Sequence, residues 1–354
     1  MHILHVVGAR PNFMKAAPVL AALAKAGARQ TLVHTGQHYD ANMSEVFFRQ
    51  LEIPAPDVNL EVGSGSHAIQ TAEIMARFEP VVAGRKPDLV LVYGDVNSTM
   101  AAALVCSKLQ VRVGHVEARL RSHDRSMPEE INRVITDQLA DLLFTPSADA
   151  DENLQREGIK PAKIHRVGNV MIDTLVRLLP RCAAHKPDDA VGRYALVTLH
   201  RPSNVDDLPR LRTLLLALAD LSHDLAVVFP VHPRTRQRIA DLGLQALSNG
   251  RLRLLDPKPY LDFLALQQGA TVVITDSGGI QEETTFLGIP CLTLRVNTER
   301  PVTVSLGTNV LVGRDVLRLK GEIRRILAGE LKKTSPVPLW DGHAAERIAQ
   351  VALK

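Results

Sequence analysis

Aromatic residues are scarce in this 354-residue chain: they make up 4% of it, with a single tryptophan. A nucleic-acid groove needs basic residues interleaved with aromatics, and no such block occurs, so no nucleic-acid partner is read from the sequence. The formal net charge is +4, but acids and bases are mixed along the whole length, a modest surplus that suits a small anionic ligand equally well. Cysteine is as sparse. Cys106, Cys182 and Cys291 stand far apart, with neither zinc-site spacing nor the pattern of a disulfide framework, and no metal site is read from them. No run approaches the ~20 apolar residues of a membrane span. The opening "MHILHVVGARPN" is broken by His5 and is too brief and polar for a signal peptide, so the reading is a cytoplasmic chain with no membrane partner.

What the sequence does have is rhythm. Apolar runs that read as strands ("HILHVVG", "RQTLVHTG", "PDLVLVYGD", "VRVGHVEA", "DLLFTPS") alternate with stretches of helical spacing such as "FMKAAPVLAALAKA" and "SHAIQTAEIMARFEPVVAG". Continuous apolar runs of this kind belong to parallel strands covered on both faces. A soft region rich in Pro, Asp and basic residues follows, with 177–193 as a plausible hinge. The rhythm then restarts with "YALVTLHRP", "LAVVFPVHP" and "TVVITDSGG". Both halves open on a strand followed by an Arg-Pro pair and an Asn, "ARPN" at 9–12 and "RPSN" at 201–204. Length and rhythm together predict an α/β protein of two Rossmann-like domains facing a central cleft rimmed by strand C-termini.

The unusual polar residues all fall where apolar strands end. Asp95 closes "LVLVYGD"; His115 and Glu117 lie in "VGHVEA"; His200 and Arg201, His232, and Asp276 with Ser277 close three strands of the second half. Such a set points to a shared crevice. In "TDSGGIQEE", Ser277 is placed to cap a helix, Gly278 and Gly279 allow close backbone approach, and the free amides there make a phosphate seat. Glu282 and Glu283 either complement the helix dipole or accept hydrogen bonds from a diol such as ribose. Phosphate beside ribose means a nucleotide. Arg295, Glu299 and Arg300 follow in the same neighbourhood.

The stretches "GARPNFMKAAPV", "TGQHYD", "VYGDVNST", "GHVEARLRSHDRSMPEEINR", "VGNVMIDTL", "LVTLHRP", "FPVHPRT", "DSGGIQEET" and "TERPVTV" resemble the non-hydrolysing UDP-N-acetylglucosamine 2-epimerases, in order from residue 3 to about 313. The resemblance implies a glycosyltransferase B type fold: an N-terminal domain of residues 1–168 with the C-terminal helix of 340–354 packing back on it, and a UDP-binding domain of 169–339. It implies a UDP-sugar substrate, no cofactor, and the dimer usual in the family. The reaction it implies is elimination of UDP to a bound glucal followed by its re-addition with inversion at C2.

Such chemistry needs a base near the C2 proton, positive charge and amide dipoles on the departing diphosphate, and shielding from water. By resemblance the acid–base groups are Asp95, Glu117 and Glu129, joined by His200. Which carboxylate abstracts and which donates stays open. Asp95, ending a buried strand, is expected to be partly desolvated and so raised in pKa. Arg10, Lys15, Ser277, Gly278, Gly279 and Arg300 fall to substrate binding, and Glu283 to the ribose. Gln37 and His38 match an activator site of some bacterial relatives. The chain departs from the family at Arg119, where Gly is common, and at "HRPS", where bacterial members read "HRRE". Loss of that Glu predicts weakened or absent activation by UDP-GlcNAc. An added cation such as Arg119 would favour an acidic, 3-acetamido uronic substrate. A hydrolysing epimerase, a transferase and a non-catalytic sensor are the other readings, and three retained carboxylates argue against the sensor.

Overall fold

The computed structural model describes residues 1–37, 48–182, 192–248 and 250–354. Two compact units divide the chain, Met1–Leu175 with Pro338–Lys354, and Val176–Val337. The division falls inside the helix Val170–Cys182. The first turn of that helix is tied to the first unit: Thr174 Oγ1 donates to Met14 O at 2.5 Å, and the Asp173 carboxylate accepts from the backbone N–H groups of Ala344 (3.1 Å) and Ala345 (2.6 Å).

In the first unit the described residues form strands β1 (His2–Val7), β2 (Arg29–His34), β3 (Val58–Asn59), β4 (Leu89–Tyr93), β5 (Arg112–Val116), β6 (Leu142–Thr145) and β7 (Ile164–Arg166). They make a parallel sheet in the order β3-β2-β1-β4-β5-β6-β7. All of β4 is buried, as a central parallel strand requires. The helix Arg10–Lys25 starts with Pro11 in its first turn, where a missing N–H costs nothing. The C-terminal helix Ala344–Ala352 packs against it. Trp340 Nε1 donates to Pro146 O at 2.9 Å. Gly168, at φ +91°, passes so close to Leu339 that a Cβ would stand 2.1 Å from its carbonyl oxygen.

The second unit repeats the plan with β8 (Tyr194–Thr198), β9 (Ala226–Pro230), β10 (Leu252–Leu255), β11 (Val272–Thr275), β12 (Cys291–Thr293) and β13 (Asn309–Leu311), ordered β10-β9-β8-β11-β12-β13 and parallel. Its core includes Val197, Leu211, Leu214, Val227, Phe229 and Ile274. In each sheet the strand order reverses beside the first strand of the unit, between β1 and β4 and between β8 and β11. Ligands of such sheets bind outside the strand C-termini at that reversal. Among the described residues no helix is long and apolar enough to cross a membrane.

Candidate active site

At the reversal in the first sheet, Asn12 fixes the turn from β1 into its helix. Its Oδ1 accepts from the backbone N–H of Gly8 and Ala9, both at 3.0 Å, and its Nδ2 donates to Tyr93 O at 2.7 Å, at the end of β4. Arg10, half-buried, is the first residue of the helix. Further along it, Lys15 is buried and its ammonium is ion-paired with Glu117 Oε2, beyond the end of β5. The pair lies over Gly94. A Cβ there would be 2.6 Å from Lys15 Nζ and 3.4 Å from Glu117 Oε2, and φ is +63°, so the position needs glycine. Glu117 itself sits at φ +68°, a left-handed conformation that costs a non-glycine residue on the order of 1 kcal/mol and clusters at functional sites. The turn is braced by His115, whose Nε2 donates to Gly94 O (2.8 Å) while Nδ1 meets Asp137 Oδ1 (2.7 Å). Burial pushes the Asp137 carboxyl up, but His115 and Arg121 outweigh it and hold it below the usual range.

Asp95, just past the end of β4, is partly buried and faces a cation. Its side chain is 25% exposed, and Oδ2 receives Arg133 Nε at 2.9 Å and Nη2 at 2.5 Å. Asn132 Nδ2 donates to the Asp95 carbonyl at 2.9 Å. The two glutamates of "PEEINR" part ways on the helix Pro128–Leu139. Glu129 is exposed and, among the described residues, makes no hydrogen bond or ion pair to Asp95 or Glu117. Glu130 is buried, pairs with Arg133 Nη1 at 3.0 Å, and accepts from Ser122 N (2.9 Å), Ser122 Oγ (3.0 Å) and His123 N (3.2 Å).

Arg119 does not serve as an outward-facing cation. It occupies φ +70°, its side chain is buried, and it is ion-paired with Glu157. Burial, reinforced by Arg121, lowers its pKa to about 9. Nothing local in the sequence tells a buried guanidinium from a solvent-facing one. Gln37 is buried on Ser98, accepting from its N–H (3.2 Å) and hydroxyl (2.6 Å). His38 lies outside the described residues.

At the reversal in the second sheet, the fully buried Asp276 clasps the end of β8. It accepts from the backbone N–H of His200 (3.2 Å) and Arg201 (3.0 Å) and from Asn204 Nδ2 (3.1 Å), and meets His200 Nδ1 at 3.0 Å. Burial pushes its carboxyl up, and these partners, His200 foremost, outweigh burial and leave it below the usual range. The His200 ring itself is half-exposed. Ser277 occupies the cap position of the helix Gly278–Leu287 without a side-chain hydrogen bond to its first turn. Gly278 has a second reason to be glycine: a Cβ would fall 2.3 Å from Arg300 Nη1. That guanidinium is held by Glu282 Oε1 (2.8 Å) and Glu299 Oε1 (2.8 Å), while Glu299 also binds Arg295 Nη2 (2.7 Å). Burial pushes Glu299 up, but Arg300, then Arg295 and Arg201, outweigh it and hold its carboxyl well below the carboxylate range.

The polar residues after Gly279 all turn inward. Gln281 Oε1 accepts from Thr298 Oγ1 (2.7 Å) and Asn309 Nδ2 (3.0 Å). Glu283 accepts from Tyr260 Oη at 2.8 Å, and burial pushes its carboxyl up to about 7. Its Oε2 is buried, and Gln267 also lowers the carboxyl slightly as a side-chain donor. Sequence reasoning passed over Arg133, Asn132, Glu130 and Tyr260. The signal for the first three was present in "PEEINR", where i,i+3 and i,i+4 spacing puts residues on one helix face. Tyr260 carried none. Among the described residues no cluster of three or more His, Cys, Asp or Glu is placed to hold a metal ion.

Two Rossmann-like units, each with its polar residues gathered at the carboxyl ends of a parallel sheet, put the chain in the glycosyltransferase B class of folds. A model of the family described as UDP-N-acetylglucosamine 2-epimerase matches residues 21–353. A UDP-N-acetylglucosamine 2-epimerase of Methanocaldococcus jannaschii is 41% identical, covering 99% of this chain and 98% of its own. A UDP-2,3-diacetamido-2,3-dideoxy-D-glucuronate 2-epimerase of Pseudomonas aeruginosa is 44% identical over 100% of both. The crystal structure of the M. jannaschii enzyme with UDP-GlcNAc and UDP superimposes with a TM-score of 0.90 at 41% identity, covering 100% of this chain and 99% of that one. The chain belongs to the UDP-N-acetylglucosamine 2-epimerase family and is an epimerase.

Proposed function

We propose that this epimerase interconverts UDP-N-acetylglucosamine and UDP-N-acetylmannosamine. A carboxylate takes the C2 proton as the C1–O bond to UDP breaks and a C1=C2 double bond forms, giving 2-acetamidoglucal. A proton then returns to the opposite face of C2 as UDP re-adds at C1. Electrons move only within the substrate, so the step needs no resident redox cofactor. Asp95 and Glu117 form the proton-transferring pair, with Glu129 the third carboxylate and His200 beside the leaving group. Arg10, Lys15, Arg300 and the amides of Gly278 and Gly279 following Ser277 receive the diphosphate, where a helix N-terminus and guanidinium groups suit developing negative charge. Glu283 takes the ribose diol, the role the family resemblance gives it, since a carboxylate can accept from both hydroxyls.

The observation that carries this reading is the placement of Asp95 and Glu117 just past the ends of the adjacent strands β4 and β5, each carboxylate joined to a buried cation, Arg133 and Lys15. Pure binding of a polyanion gains nothing from two carboxylates there. The family resemblance further supports a homodimer, the sequence pattern a cytoplasmic chain, and the departure at "HRPS" weakened or absent activation by UDP-GlcNAc.

A second reading has support of its own. The P. aeruginosa relative, at 44% identity over the full length, is named for a diacetamido glucuronate, although Arg119 is not the cation that would select such a sugar. Each UDP-sugar is offered separately and the products are resolved by NMR. Conversion of UDP-GlcNAc to UDP-ManNAc with at least tenfold higher kcat/KM is the expected result. Turnover of the uronate alone overturns the assignment, and release of free ManNAc with UDP replaces it with the hydrolysing reaction.

A further inference from the structure

We propose that Arg133 is a positioning residue that sets the working orientation of Asp95. This rests on the proton-transfer role proposed for Asp95. Two donors of one guanidinium, Nε at 2.9 Å and Nη2 at 2.5 Å, converge on the single oxygen Oδ2, which blocks rotation of the carboxylate. The preceding residue on the same helix, Asn132, holds the Asp95 main-chain carbonyl at 2.9 Å. Asp95 is thereby gripped at its backbone and its side chain by one rigid element, the helix Pro128–Leu139.

Arg133 is itself fixed from the other side. Its Nη1 binds Glu130 Oε2 at 3.0 Å, and Glu130 clasps the backbone of Ser122 and His123, in the loop that follows Glu117. Arg133 and Glu130 are each 4% exposed at the side chain, so neither can swing away without leaving a buried charge unpaired. Asp95, at 25%, is the exposed end of this chain of contacts. The arrangement is a buried pedestal with an accessible acid at its top, and it links the strand end bearing Asp95 to the loop after Glu117. Misplacement of a reacting group by about 1 Å can cost on the order of a hundredfold in rate, which is the scale of effect Arg133 controls.

The test compares wild type, Arg133→Ala and Arg133→Lys, with wild-type turnover established first; a wild type inactive on every UDP-sugar offered refutes the proposed function, not this inference. For Arg133→Ala the expected result is a fall in kcat of about a hundredfold, with KM and UDP affinity within about threefold of wild type. Guanidinium ion added at millimolar concentration should restore at least about tenfold of that loss, because it refills the fork, which a purely structural role would not permit. Arg133→Lys keeps the charge without the fork, so its kcat should fall about tenfold at an unchanged melting temperature; this variant decides the matter if the alanine variant does not fold. Wild-type kcat in either variant overturns the proposal. So does a loss that guanidinium leaves untouched while UDP affinity declines in parallel.

Discussion

Lys15, on the first helix, and Glu117, just past the end of β5, meet as a buried ion pair over Gly94. Removing one partner strands the other in the interior, a loss that typically costs 3–5 kcal/mol, whereas removing both is far milder. Lys15→Met should therefore destabilise the fold by about 3 kcal/mol, and Lys15→Met combined with Glu117→Gln by much less than the two single effects summed. Urea unfolding of the four proteins in this cycle measures the coupling. Additive effects would mean that the pair is not formed in solution.

In the proposed reaction the same two strand ends carry the chemistry. Asp95→Asn and Glu117→Gln remove the proposed proton-transferring groups while keeping shape, so each should lose several orders of magnitude in kcat and still bind UDP by calorimetry. Near-normal turnover in both variants would defeat the role given to these carboxylates.

The turn from β11 into the helix Gly278–Leu287 needs glycine at its first position. The residue leaves room for the guanidinium of Arg300, whose Nη1 would lie 2.3 Å from any Cβ, and Arg300 cannot retreat freely because Glu282 and Glu299 hold it. Gly278→Ala should weaken UDP binding at least about tenfold with the circular dichroism spectrum unchanged, an effect of roughly 1.4 kcal/mol. Unaltered UDP affinity would show that Arg300 plays no part in holding the nucleotide.

Glu283 gives the fold a distinctive response to pH. Its carboxyl is raised from an ordinary 4.5 to about 7 by burial. Below pH 4.5 it is protonated whether the chain is folded or not, and adds no pH dependence. Between 4.5 and 7 the unfolded chain ionises first, so stability falls as pH rises; above 7 the penalty levels off at about 3 kcal/mol. Glu283→Gln, which can still accept from Tyr260, removes that slope. Melting temperatures taken from pH 4 to 8 should show the variant gaining on wild type across this window and holding its advantage beyond it. A difference independent of pH would mean that Glu283 is ionised in the folded chain.

Long central strands and some helix starts were legible because each depends on local chemistry: continuous apolar runs such as "LVLVY", and the proline that opens the helix Pro128–Leu139. The echo between "ARPN" and "RPSN" also had a physical basis. Asn12 reaches across to the end of β4, and Asn204 to Asp276 and Leu294 O, each tying a first helix to the strands beside it. Short strands such as Val58–Asn59, Ile164–Arg166 and Cys291–Thr293 went unread because two or three residues carry no periodicity. Partners distant in sequence were equally hidden. Nothing local distinguishes the buried Arg119 from a solvent-facing arginine, or reveals that Asp95 faces Arg133 rather than an apolar wall.

The account stands on removal of a proton from C2 while UDP departs, and incubation with UDP-GlcNAc in deuterium oxide, followed by proton NMR of the recovered nucleotide sugars, tests it most directly. Deuterium at C2 in both epimers, each still joined to UDP, is the predicted result. Epimerised product that keeps its original C2 hydrogen would contradict it.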